Sequence, residues 1–107
     1  MTSRAEIQAL FQQGKRIGRP ALLVLWRDTD TPRRAAFAVT RQIRGAVRRN
    51  RARRRLREAF RAAREAAPVR VAMVVVAKQA ALDAPFARLT AQLREALSAI
   101  PGARIHT

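Results

Sequence analysis

The sequence predicts an α+β fold, a small sandwich of helices against a sheet, and three observations carry that prediction. Residues 22–26 (LLVLW) and 69–78 (VRVAMVVVAK) are apolar runs of strand length. Ala52, Leu56, Ala59, Phe60, Ala63 and Ala67 recur at the helical period, and so do Phe86, Leu89, Leu93, Ala96, Leu97 and Ile100. Residues 41–64, which contain the first of these stripes, hold eleven arginines and one acid, Glu58. This one stretch therefore carries nearly half of the chain's 23 basic residues.

In chain order, Ser3 and Glu6 form a capping-box pattern, and Ile7, Leu10 and Phe11 follow on one face before Gly14 ends the segment. Pro20 bars helix beyond it. Residues 15–18 leave room for a short strand that periodicity alone does not decide. Residues 22–26 form a strand, and the polar loop 27–34, with Asp28, Asp30 and Pro32, leads to a second at 35–40. Phe37 and Val39 share one side of that strand and Ala36, Ala38 and Thr40 the other, and the loop allows the two strands to pair as a hairpin.

The arginine helix runs from Ala52 to Pro68, with Asn50 placed either to cap it or to contact a ligand. The valine-rich run 69–78 is apolar enough to be central in the sheet and covered on both faces. Asp83 is positioned to cap a last helix with Pro85 in its first turn, and Pro101 and Gly102 end that helix. The tail, 103–107, is expected to fray. The 107 residues make one domain, 1–107, with no repeat or linker.

Charge narrows the function. The chain carries 21 arginines, two lysines and a net charge of +16, which implies a polyanionic partner. Arginine's planar fork suits phosphate better than diffuse attraction to a membrane does. With Leu56 at zero and about 100° per residue, Asn50, Arg53, Arg54, Arg57, Arg61 and Arg64 fall between about 60° and 160°, and Arg55 lies on the other flank. Like charges at that spacing repel, and a nucleic acid would neutralise them.

The chemistry of catalysis is sparse. There is no cysteine or tyrosine, the single histidine, His106, sits beside the C-terminus, and the seven carboxylates form no metal-ligand pattern. No catalytic or metal-binding residue is expected. No apolar run has the length of a membrane span, and Glu6 interrupts the N-terminus where a signal peptide is apolar. The expected location is cytoplasmic, without a membrane partner.

The segment Ala46-Val47-Arg48-Arg49-Asn50-Arg51-Ala52-Arg53-Arg54, followed by Leu56-Arg57-Glu58-Ala59-Phe60-Arg61, resembles the signature of the protein subunit of bacterial ribonuclease P. The resemblance spans the chain, from the opening helix to the final leucine helix. It implies an αβββαβα sandwich with a left-handed βαβ crossover around the arginine-rich helix, against the usual hand. It also implies a role: binding the catalytic RNA and the 5′ leader of precursor tRNA, with no obligate protein partner. The RNA would hold the magnesium and hydrolyse the phosphodiester.

Carried over residue by residue, the resemblance makes Arg49, Asn50, Arg51, Arg53, Arg54 and Arg57 RNA-facing, with Arg44, Arg48 and Arg61 on the same surface. It places a leader cleft at Ile7, Phe11, Leu23, Leu25 and Arg41. Ile7 and Leu25 stand where the family has aromatics, and Trp26 should face the opposite side of its strand. Arg44-Gly45 replaces the family's Gly-Asn. A ribosomal or other structural RNA-binding protein would share the charge and fold but not stimulate cleavage. A DNA-binding helix is disfavoured, because no second helix adjoins through a short turn.

Overall fold

The computed structural model describes residues 4–104. Ser3 and His106 lie outside them, so the capping-box partner and the lone histidine receive no structural description. The elements are α1 (Arg4–Gln13), β1 (Lys15–Gly18), β2 (Leu22–Asp28), β3 (Arg34–Val39), α2 (Ala46–Ala63), β4 (Val71–Ala77) and α3 (Phe86–Ser98), with 3-10 turns at Arg64–Ala66 and Gln79–Leu82.

α1 stops at Gly14, whose N–H donates to the Leu10 carbonyl at 2.9 Å. A Cβ at Gly14 would stand 2.5 Å from that same oxygen, so only glycine fits the turn into β1. β1, the strand left undecided by periodicity, pairs antiparallel with β2 through a tight turn at Pro20 and Ala21.

The strand order is β1-β2-β4-β3. This corrects the expected hairpin between β2 and β3, because β4 lies between them, antiparallel to β2 and parallel to β3. The cause is burial: every residue of β4 is buried, and a strand apolar on both faces gains most where both of its edges and both of its faces are covered. The connection β3-α2-β4 is thus a βαβ unit.

Strand alternation sends the two faces to different partners. Leu22, Val24, Trp26, Met73, Val75 and Val39 share one core with Leu56 of α2 and Leu89, Leu93 and Leu97 of α3. Leu25, Ala72, Val74 and Val76 form a smaller cluster with Leu10 of α1, and Ile7, Leu23, Ala36 and Ala38 pack against it half-buried. Trp26 therefore faces away from Leu25, as alternation requires.

Helix boundaries differ from the periodicity in informative ways. α2 begins at Ala46, preceded by Gly45 at φ 88°, so Asn50 lies in the helix rather than capping it. α3 begins at Phe86 with Pro85 at its N-cap and extended, so Asp83 is an exposed turn residue and caps nothing. Phe86 is 45% exposed and leaves the expected stripe. Phe60 is half-buried at the margin of the core, where its ring meets Phe37 edge-on with centroids 5.5 Å apart. The tail is not frayed at Ala103 and Arg104: the Ala103 carbonyl accepts from Val69 N–H, and Arg104 donates to the carbonyls of Ala66, Leu97, Ile100 and Gly102.

Candidate nucleic-acid interface

Packing decides what each arginine of α2 does. Ala52, Leu56, Ala59 and Ala63 are fully buried, so the opposite side of the helix is held toward solvent. Arg44, Arg48, Arg51, Arg54, Arg57 and Arg61 are exposed, as is Asn50. Arg48, Arg51 and Arg54 follow at three-residue intervals along one row. Among the described residues only Arg61 of these pairs with an acid, Glu58 at 3.6 Å, an exposed contact of small energetic weight. Arg53 is half-buried and donates to Asn50 Oδ1 at 3.0 Å, which orients Asn50 along the helix.

Arg49 behaves differently from its neighbours. Its guanidinium donates to the carbonyls of Ile43 at 2.9 Å, Thr40 at 3.0 Å and Val39 at 3.3 Å. It thereby closes the turn between β3 and α2 from inside. Extending the helix back from Leu56 places Arg49 at about 20°, on the buried face. A pattern search for apolar residues cannot see an inward position that an arginine fills. Arg55, on the far flank, clasps the carbonyls of Ala81, Leu82 and Ala84 and ties α2 to the turn before α3. Arg33 reaches the carbonyls of Arg64 and Ala67. These carbonyls end helical turns or belong to tight loops, so guanidinium donors meet a real deficit of partners.

The leader-cleft residues meet on the α1 side of the sheet. Ile7 and Phe11 are one turn apart on α1, Ile7 half-buried and Phe11 41% exposed. Leu23 is half-buried and opposite Val76, whereas Leu25 is fully buried in the cluster with Leu10. Leu25 thus supplies floor beneath α1 and no accessible surface. The missing cover lies over Leu23, Ala36 and Ala38, so this face keeps an apolar strip beside α1. Arg41 is exposed just past β3, where Thr40 N–H donates to the Ala77 carbonyl.

Glu6 sets the seat of α1. Its carboxylate accepts from Arg34 of β3 and Arg27 of β2, which flank Ala72 of β4 on the same face. The hydrogen bond from Arg34 holds the Glu6 carboxyl below the usual carboxylate range against the opposing effect of burial, with Arg27 adding to it. Glu65 is lowered likewise, first by its hydrogen bond from Arg94. Glu95 contacts Arg19 at 3.3 Å. Carboxylates so engaged with arginines are poor ligands for a divalent cation, and among the described residues no group of three or more acidic, histidine or cysteine side chains gathers. Among the same residues no helix is long and apolar enough to cross a membrane.

Comparison with known proteins agrees with this architecture. Residues 1–101 match the family model described as Ribonuclease P. The ribonuclease P protein component of Symbiobacterium thermophilum is 40% identical over 97 residues, covering 89% of this chain and 84% of that protein. The component from Gluconacetobacter diazotrophicus is 36% identical, covering 91% and 86%. The solved ribonuclease P protein of Thermotoga maritima superposes with a TM-score of 0.82 at 25% identity, over 95% of this chain and 99% of that one.

Proposed function

The chain belongs to the ribonuclease P protein family, a component of a tRNA-processing endoribonuclease with an RNA partner, and from that premise we propose how its surfaces divide the work. The outer face of α2 binds the catalytic RNA, and the strip beside α1 holds the 5′ leader of precursor tRNA. The observation that carries this reading is the row of exposed arginines without acidic partners, held rigidly outward by the buried stripe Ala52, Leu56, Ala59 and Ala63.

The physical logic is electrostatic. Two RNAs brought together repel through their phosphates, and a protein that neutralises several of them releases counterions and lowers the magnesium needed for association. The ion and the hydrolytic step belong to the RNA in this reading, because Glu6, Glu65 and Glu95 are held by arginines and, among the described residues, no group of three or more acidic, histidine or cysteine side chains gathers. The protein contributes position, holding the substrate where the RNA's metal ions act. Arg49 takes part indirectly, by fixing α2 relative to Arg41 and Arg44.

The test is 5′ maturation of a precursor tRNA by a bacterial ribonuclease P RNA at low magnesium, with and without this protein. Restored cleavage is expected. Tight RNA binding with no restored cleavage would reduce the chain to a structural RNA-binding module. In the same assay Phe11→Ala, at an exposed position, should weaken the preference for precursor over mature tRNA by about the 1–3 kcal/mol of one stacked base while leaving the fold intact. Cooperative loss of structure in that variant would place Phe11 in the core instead.

A further inference from the structure

A second groove lies on the other side of β3 from the leader strip. Its volume is about 690 Å³, and it runs between the C-terminal half of α2, β3 and the loop that precedes it. Phe37 and Phe60 line it together with Asp30 and four arginines, Arg33, Arg34, Arg64 and Arg70. β3 is the outermost strand here, pairing only with β4, so nothing of the sheet closes the groove from outside.

Three features of the groove point to the same kind of ligand. The Arg57 guanidinium, beside the groove and outside its lining, lies over the Phe37 ring, 5.7 Å from its centroid, so the aromatic surface of the groove adjoins a further cation. Arg64 has no acidic partner among the described residues, while Glu65 beside it is taken by Arg94. Arg33 is anchored through Nη1 by the carbonyls of Arg64 and Ala67, and its acidity is raised first by burial and then by the Arg64 charge, against a smaller opposing pull from Glu65, so two like charges lie close together in the groove. Aromatic surface beside clustered guanidinium groups suits a base joined to a phosphate. The volume suits a single small ligand rather than a double helix.

We propose that this groove is a binding site for an unpaired ribonucleotide, with the base against Phe37 and Phe60 and the phosphate at Arg33 and Arg64. The proposal rests on the reading that α2 lies along RNA. Arg53 and Arg57 share one flank of α2 and Arg64 follows in the 3-10 turn at its end, so an RNA strand leaving the outer face would pass along that flank into the groove. Asp30 in the lining offers an acceptor to a ribose hydroxyl or an exocyclic amine.

The experiment follows the ring resonances of Phe37 and Phe60 by NMR during titration of the full chain. The probes are a single-stranded RNA octamer, the same octamer as a duplex, and an oligoglutamate of equal charge. The single strand is expected to shift both rings, and the duplex and peptide to leave them in place at equal occupancy. Arg64→Glu should weaken single-strand binding by about tenfold, and the matched reversal Arg88→Glu on exposed α3 by about threefold at most. Rings that stay in place at saturation, equal losses in the two variants, or equal shifts from the peptide would each overturn the site. Stimulation of precursor cleavage, measured on the same preparations, separates the two readings: if it persists while the rings stay silent, only the groove assignment falls. If stimulation is absent, the α2 reading falls, and the ring shifts alone decide whether the groove takes a nucleotide.

Discussion

Arginines of two kinds alternate along α2, and the contrast between them shows how a chain with net charge +16 holds together. Arg48, Arg51 and Arg54 point to solvent without acidic partners among the described residues, whereas Arg49 and Arg55, interleaved with them, are turned inward onto backbone carbonyls. The residue type is the same and only the azimuth on the helix differs. With seven acids in the whole chain, ion pairs cannot satisfy 23 cations. Carbonyls can, and a guanidinium with five donors joins several turns at once. Arg104 uses the same device elsewhere, and Arg33 commits one guanidinium nitrogen to it and keeps the others. The inward set binds the chain to itself, and the outward set is left for a polyanion.

Substitutions can break or sharpen this contrast, and Arg55→Ala should have the largest effect. It leaves the carbonyls of Ala81, Leu82 and Ala84 short of a donor and should lower unfolding stability by roughly 2–4 kcal/mol in urea titrations. An unchanged midpoint would erase the distinction between the two sets. Next comes Arg49→Lys, which keeps the charge and removes the fork. A loss of about 1–2 kcal/mol is expected, with the salt slope of RNA binding nearly unchanged, whereas a phosphate ligand at this position would alter affinity more than stability.

Arg54→Ala should do the reverse. Stability should stay within about 0.5 kcal/mol of the parent, while the slope of log affinity against log salt flattens by about one unit. An equal slope in parent and variant would remove Arg54 from the interface. The smallest effect belongs to Glu6, which accepts from arginines instead of leaving them to carbonyls. Its carboxyl is depressed in the folded chain, chiefly by Arg34, so its contribution is present above the unfolded-state value and is lost as pH falls through the lowered folded value. Glu6→Gln should therefore lower the melting temperature modestly at neutral pH and flatten the acid side of the profile, the two proteins converging once pH falls below the lowered folded value. A profile identical to the parent's would mean that the seat of α1 does not depend on this carboxylate.

The helices and strands were largely legible because each buries a stripe or a run of apolar side chains. Leu56 with its alanines, Leu89 with Leu93 and Leu97, and the valines of β4 announce themselves by period alone. The first turns of α2 were not legible, because Arg49 fills an inward position that the pattern reserves for apolar residues. The cap of α3 was misplaced by two residues, since Asp83 is the better capping side chain but Pro85 holds the position. On the α1 side of the sheet, Leu23 and Leu25 differ only in whether α1 lies over them, which no alternation rule states.

By itself, the sequence determined that the chain folds as α+β, that one helix is a cationic surface, and that its signature resembles a family whose partner is RNA. Those conclusions follow from local period, composition and a contiguous motif. The tertiary structure alone decided that β4 separates β2 from β3, which arginines are consumed as clamps, and that Arg33, Phe37, Phe60 and Arg64 converge beside an outer strand. Each of these depends on contacts between residues distant in the chain, where long-range burial of the most apolar strand and the satisfaction of stranded carbonyls outweigh any local preference.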